Sequence, residues 1–141
     1  LYVLPCKEIH DIFVCGNKYV NLTKKPIQLS LLMKMPLIFL EKKANSRNYV
    51  EGFFKDKGYD LAPEFELGSH DLLLQFAKIN LGIACVTKEF AEDEISRGDL
   101  FEIPLATPIP KRNIGIVTLK TVPISHAAKK FITLIDRGAL K

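Results

Sequence analysis

No run of apolar residues here approaches the roughly 18 needed to span a bilayer; segments such as LSLL at 29–32 and PLIFL at 36–40 fall far short. The N-terminus has no charged segment, apolar stretch and cleavage site in series, so nothing in this sequence directs export. It begins at Leu1 rather than at Met, which raises the expectation of a chain incomplete at that end. Cysteine is sparse and odd in number: Cys6, Cys15 and Cys85 form no C-x-x-C and have no histidine partner at metal-ligand spacing. Cys85 sits in the apolar run IACV, where a thiol behaves as a small buried hydrophobe. Reduced thiols in a cytoplasmic protein are the expectation, with a Cys6–Cys15 disulfide the lesser alternative.

Clustered charge is also missing. The net charge is +4, but Lys42-Lys43, Lys55 and Lys57, Lys111-Arg112 and Lys129-Lys130 are scattered among acidic residues. No basic helix is interleaved with aromatics, so this chain alone is not expected to bind DNA. Catalytic signatures are absent too: there is no G-x-S-x-G, H-E-x-x-H, P-loop or G-x-G-x-x-G. His10, His70 and His126 lie in unrelated segments, and Glu89, Glu92, Asp93 and Glu94 read as one solvated helix face. No residue stands out as nucleophile or base, and no cofactor is implied.

What remains is the composition of a globular domain, 48% hydrophobic and 26% charged, at a length that fits one domain or two small lobes. IHDIFVCG (9–16) reads as a strand, followed by a loop and a short amphipathic segment around Leu29–Leu32. PLIFL (36–40) predicts a strand buried on both faces, and Tyr49, Val50, Phe53 and Phe54 follow a helical period that Gly58 ends. PEFEL (63–67) and GIACV (82–86) predict further strands. The helix between them is expected to bury Leu72, Leu73, Phe76, Ala77 and Ile79. A short helix over KEFAEDEISR breaks at Gly98 and feeds the strand FEIPL (101–105). NIGIVTLK (113–120) is another strand, and SHAAKKFITLIDRG the closing helix with Ser125 as its cap. This alternation predicts an α/β fold with mainly parallel strands.

Two strand ends share a design. PLIFL runs through EKKANSR into a helix, and PEFEL runs through GSH into another. In open α/β sheets, ligands sit outside the carboxyl ends of strands, where helix N-termini present N–H groups. Ser46 and Ser69 are both suited to cap their helices, or to lend a hydroxyl and adjacent amides to a carboxylate or sulfate. His70, in a first turn, would be disfavoured as an imidazolium by the helix dipole and so suits a neutral hydrogen-bonding role.

The progression from PLIFL through NSRNYVEGFFKDKGYDLAPEFELGSHDLLLQFAKINLGIACV resembles the effector-binding domain of LysR-type transcriptional regulators. So do IHDIFVCGNKYV, RGDLFEIPL, NIGIVTLK and SHAAKKFITLI, and the finish NLGIACV is the most telling part. One departure is Thr87, where that family usually has proline after the GIACV-like strand. The resemblance implies a type II periplasmic-binding-protein-like fold, two Rossmann-like α/β lobes with the ligand between them and the first lobe only partly present. It divides the chain into 1–35 (end of lobe I and crossover), 36–112 (lobe II) and 113–141 (return strand and helix). It implies ligand-binding roles for Asn45, Ser46, Gly68, Ser69, His70, Val86 and Thr87. Arg47 extends that set as a partner for an anionic effector. The implied partners are a small-molecule effector and further copies of the chain, as a homodimer or higher homo-oligomer. DNA would be reached only through a winged helix-turn-helix absent from this sequence, and no membrane is involved. A stand-alone solute-binding protein and an enzyme share this architecture, since fold does not fix function. The first would need an export signal, and the second convergent titratable groups that these loops lack.

Overall fold

The computed structural model describes residues 1–136. In chain order the elements are β1 (Tyr2–Ile9), β2 (Asp11–Cys15), a 3-10 turn (Asn17–Thr23), α1 (Leu29–Leu32), β3 (Leu37–Leu40), α2 (Asn45–Asp56) and β4 (Phe65–Leu67). They continue with α3 (His70–Lys78), β5 (Ile83–Thr87), α4 (Lys88–Arg97), β6 (Phe101–Ile103), β7 (Arg112–Thr118) and α5 (His126–Leu134). The Arg137-Gly138 end of the expected closing helix lies outside the described residues. Among the described residues, no helix is long and apolar enough to cross a membrane.

The chain divides into two compact units, residues 1–9 with 111–141, and residues 10–110. The division expected from the sequence groups 10–35 with residues 1–9 and places the far boundary at 112/113. In the structure β2 is a central strand of the second unit's sheet, so 10–35 belong with residues 36–110. The first unit is an antiparallel β1·β7 ribbon with α5, whose first turn is capped by Ser125 Oγ accepting the Ala128 N–H at 3.1 Å. β1 is not legible in the sequence, because Pro5 interrupts its pattern. The register shifts between Pro5 and Lys7, which leaves Cys6 as the extra residue of a bulge.

The second unit is a five-stranded sheet in the order β4-β3-β5-β2-β6. As expected, its strands are mainly parallel, since β4, β3, β5 and β6 share one direction and β2 alone is reversed. β3 is parallel to β4 and β5, but β2 is antiparallel to both β5 and β6. β2 follows β1 of the first unit directly in the chain, with only His10 between them.

Alternation along the strands builds two cores. Phe13, Leu37, Phe39, Ile83 and Cys85 pack on one face with Val50 and Phe54 of α2. Val14, Ile38, Ala84 and Val86 pack on the other with Leu73, Leu74 and Ala77 of α3 and Ala91 of α4. The first face is knitted by edge-on ring contacts of Phe13 with Phe39 (5.9 Å) and Phe54 (6.0 Å). α3 is rotated from the expected phase: Leu74 is buried, while Leu72 is 44% and Ile79 64% exposed. The apolar run Leu72-Leu73-Leu74 allowed either phase, and the Ser69 cap with the sheet contact selects the second.

Where β5 begins, its backbone passes close to β3. A Cβ on Gly82 would lie 2.5 Å from the Pro36 carbonyl oxygen and 3.1–3.2 Å from the Ile38 side chain. The Ile83 N–H donates to that same carbonyl at 2.8 Å, so the strand cannot simply step away. Gly82→Ala is therefore expected to destabilise the fold by about 1–3 kcal/mol. The urea midpoint reports it, and an unchanged midpoint would show that the approach is not fixed.

Candidate functional site

The carboxyl ends of β3 and β5, the start of β2 and the first turns of α2 and α3 meet at one edge of the second unit. Because β2 is antiparallel to β5, its first residue Asp11 stands in register with Thr87, the last of β5. Asp11, Leu40, Ser46, Arg47, His70, Cys85, Val86 and Thr87 surround a cavity of about 10 Å³. That is space for about one water, so these side chains form a floor on which a ligand would rest rather than a finished pocket.

His70 holds the floor together. Its Nε2 accepts the backbone N–H of Thr87 at 2.9 Å, which places the ring proton on Nδ1. Its ring edge meets Phe90 of α4 at 5.4 Å between centroids. Burial lowers its pKa below the usual histidine value, against a smaller upward pull from Asp71, Glu94 and Asp11. The neutral form, expected from its place in a helix's first turn, is thus also the one that its hydrogen bond requires. Ser69 next to it caps α3, its Oγ accepting the Leu72 N–H at 3.3 Å.

α2 begins differently. Its cap position is Ala44, which offers no side-chain oxygen, and its first turn holds no acidic residue. The expected capping role of Ser46 is therefore overturned: Ser46 lies inside the first turn, because the helix starts at Asn45. Helix geometry leaves first-turn amides without an acceptor inside the helix, and here no residue at the cap position supplies one.

Arg47 lies beneath that turn and is only 2% exposed. A guanidinium Nη1 donates to the Leu40 carbonyl at 3.0 Å and lies 3.7 Å from Glu66. Its Nε is 3.5 Å from Glu51, a charge contact without hydrogen-bond geometry. The guanidinium also stands over the Phe39 ring at 5.3 Å. Its charge is balanced by two carboxylates, and it ties the end of β3 to the start of α2.

Of the residues singled out in the sequence, Ser46, Arg47, His70, Val86 and Thr87 come together on the floor; Asn45, Gly68 and Ser69 do not line it. A Cβ at Gly68 would meet nothing within 4 Å, so no packing inside the protein demands glycine there. Sequence reasoning passes over Asp11, 4% exposed, and Cys85; an aspartate inside the apolar run IHDIFVC is the available signal for the first. It also misreads Glu89 as solvated and His10 as isolated. Glu89 accepts the His10 backbone N–H at 3.0 Å and lies 2.6 Å from His10 Nδ1. Burial would raise the Glu89 pKa, but the His10 hydrogen bonds outweigh it and hold the carboxyl below the usual range. None of the three cysteines is in a disulfide, so the Cys6–Cys15 alternative does not hold, and burial pushes the Cys15 thiol up to about 11.

A family model described as LysR substrate binding domain matches residues 2–139. The chain is 24% identical over 115 residues to the HTH-type transcriptional regulator YeiE of Escherichia coli (strain K12), covering 82% of this chain and 39% of that protein. Its fold is similar to the Synechocystis PCC6803 CcmR regulatory domain in complex with 2-PG, with TM-score 0.85 and 19% identity. That match covers 95% of this chain and 64% of the other. It is similar also to the effector binding domain of QuiR in complex with shikimate, with TM-score 0.80, 17% identity and coverage of 96% and 64%. The chain thus spans about two-fifths of its curated relative. The fold is the type II periplasmic-binding-protein-like fold of such domains.

The neutral His70 gives the floor a pH signature. A folded-state pKa below the unfolded value, about 6.5, contributes stability that is fully present above that value and is lost as pH falls through the folded pKa. The lowered Glu89 acts in the same direction but only below the carboxylate range, near 4.5. The urea midpoint should therefore fall between pH 7 and 5 in the wild type, and His70→Gln should flatten that decline. An equal decline in the variant would place the titrating group elsewhere.

Proposed function

We propose that this chain, which belongs to the LysR substrate-binding domain family, senses a small effector that rests on the floor of Ser46, His70, Val86 and Thr87. The observation that carries this reading is the uncapped N-terminus of α2, set beside a helix, α3, whose own N-terminus is capped. An oxygen acceptor, carboxylate or hydroxyl, fits the α2 amides and would complete the helix from outside. Arg47 supports that acceptor from below as a strut, since Glu51 and Glu66 already balance its charge. Asn45, Gly68 and Ser69 belong to the surrounding rim, Gly68 leaving open space above it. CcmR and QuiR are described with 2-PG and with shikimate, and small-molecule binding is extended to this chain from them.

The role is binding rather than catalysis: His70 commits its acceptor nitrogen to the Thr87 backbone, which leaves it a poor general base. In the whole regulator, we place residues 1–9 and 111–141 in lobe I and residues 10–110 in lobe II. We assign it to the cytoplasm as a homodimer or higher homo-oligomer, with a winged helix-turn-helix outside this chain contacting DNA. Effector binding then acts by differential affinity for two arrangements of the regulator. The exposed apolar side chains of the first unit, among them Tyr2, Val117, Phe131 and Leu134, suit cover by other parts of such an assembly.

The test is Ala44→Asp. The Ala44 backbone is extended, as a cap position requires, so an aspartate there can cap α2 and occupy the amides assigned to the effector. Stability should rise by about 1 kcal/mol. The thermal-shift response to small carboxylates and sugar acids should be lost at the same time. A response retained in full would remove α2 from the site.

A further inference from the structure

The chain passes between its two units twice, at 9/10 and at 110/111. Each crossing is gripped, from within the second unit, by a helix that begins at the effector floor. At the first, His10 is the single residue between β1 and β2, and the start of α4 holds its N–H, its carbonyl and its ring. The His10 N–H donates to Glu89 Oε2 at 3.0 Å, and ring Nδ1 lies 2.6 Å from Glu89 Oε1. The His10 carbonyl accepts the Lys88 N–H at 2.8 Å. At the second crossing Pro110 ends the unit, and its carbonyl accepts the Tyr49 hydroxyl of α2 at 3.0 Å.

Turning the backbone at His10 swings its N–H or its carbonyl away from a partner, so bending there breaks a bond to α4. The Glu89 side chain is only 12% exposed, which sets this grip apart from a solvated surface ion pair. Both grips lie close to the floor. Thr87 of the floor occupies the cap position of α4, and Glu89 stands two residues on. Ser46 of the floor lies in the first turn of α2, and Tyr49 follows three residues later, about one turn along. A ligand that orders the start of either helix therefore orders the side chain that holds a crossing.

We propose that Glu89 and Tyr49 are positioning residues that carry effector occupancy at the floor to the two crossings. This rests on the floor being the effector site, and it supplies that site with a route of regulation. An acidic residue in a helix's first turn ordinarily serves the helix dipole, and Glu89 is placed to do so. Its two oxygens on His10 give it a second task. Completing the α2 amides holds Tyr49 on Pro110, and contact at Thr87 holds Glu89 on His10. Occupancy thereby raises the cost of bending at both crossings.

The experiment reads both grips by NMR in the whole chain. Lys88 donates to His10 and not to Glu89, so its amide exchange reports the crossing rather than a lost acceptor. Glu89→Ala should speed that exchange about tenfold. Glu89→Gln keeps an oxygen for the His10 N–H and should speed it only about threefold. A role confined to the helix dipole predicts equal effects, since both variants lose the charge. At the second crossing, Ala44→Asp stands in for a ligand by occupying the α2 amides from within the chain. The Lys111 amide nitrogen shares a peptide group with the Pro110 carbonyl. Its resonance should move in Ala44→Asp, and that movement should vanish when the same change is made in Tyr49→Phe. Equal exchange in the two Glu89 variants would overturn the proposal. So would a Lys111 shift that survives Tyr49→Phe, or one that is absent although Ala44→Asp raises the urea midpoint. A midpoint that does not rise would instead strike the reading of α2 on which the proposal rests.

Discussion

β2 runs against its neighbours, and most of what is distinctive about the second unit depends on that single strand direction. The strand comes from the other unit and runs antiparallel to both of its neighbours, β5 and β6. Its first residue then stands opposite the last residue of β5, which is why Asp11 meets Thr87 at the floor. The next contacts arise from the same geometry. The Lys88 N–H donates to the His10 carbonyl at 2.8 Å, and Glu89 receives His10. The first turn of α4 is thereby tied to the start of β2 through two consecutive residues. On its other edge the strand pairs with β6 over Phe13 to Cys15.

The two helix starts at the floor illustrate a division of labour. α3 is closed by its own Ser69, and its His70 is turned inward to fix the end of β5. α2 is left open, but what lies beneath it is rigid, since Arg47 is clamped by a carbonyl, an aromatic face and two carboxylates. Burying a guanidinium costs several kcal/mol unless it is well compensated. The chain accepts that cost directly under a turn whose amides lack a side-chain partner from the cap position. Pre-organisation of this kind reduces the ordering that a ligand would otherwise impose.

Strand identity is legible because the central strands are short, apolar and bounded by Pro, Gly and charges, as PLIFL and GIACV are. Direction is not legible. IHDIFVCG carries no mark that tells a parallel strand from an antiparallel one, so the reversal of β2 within a mainly parallel sheet does not appear in the sequence. Helix phase fails at Leu72-Leu73-Leu74, where three consecutive apolar residues fit two faces equally. At the floor, turn chemistry finds the residues next to helix starts. Asp11 escapes it because its role depends on register with Thr87, far along the chain, and Arg47 reads as ligand-facing because sequence does not reveal burial.

The three thiols differ in a way that experiment can exploit. Cys15 is fully buried with a pKa pushed up to about 11, and Cys85 lies within the sheet at 8% exposure. Cys6 is the bulged residue of β1 and is partly open. Thiolate, not thiol, attacks electrophilic reagents, and it must be reachable to do so. The native sequence therefore offers one favoured point of chemical attachment, and it lies in the first unit while the floor belongs to the second. A maleimide dye can be placed there without engineering, and a single-colour reporter comes with the wild-type chain.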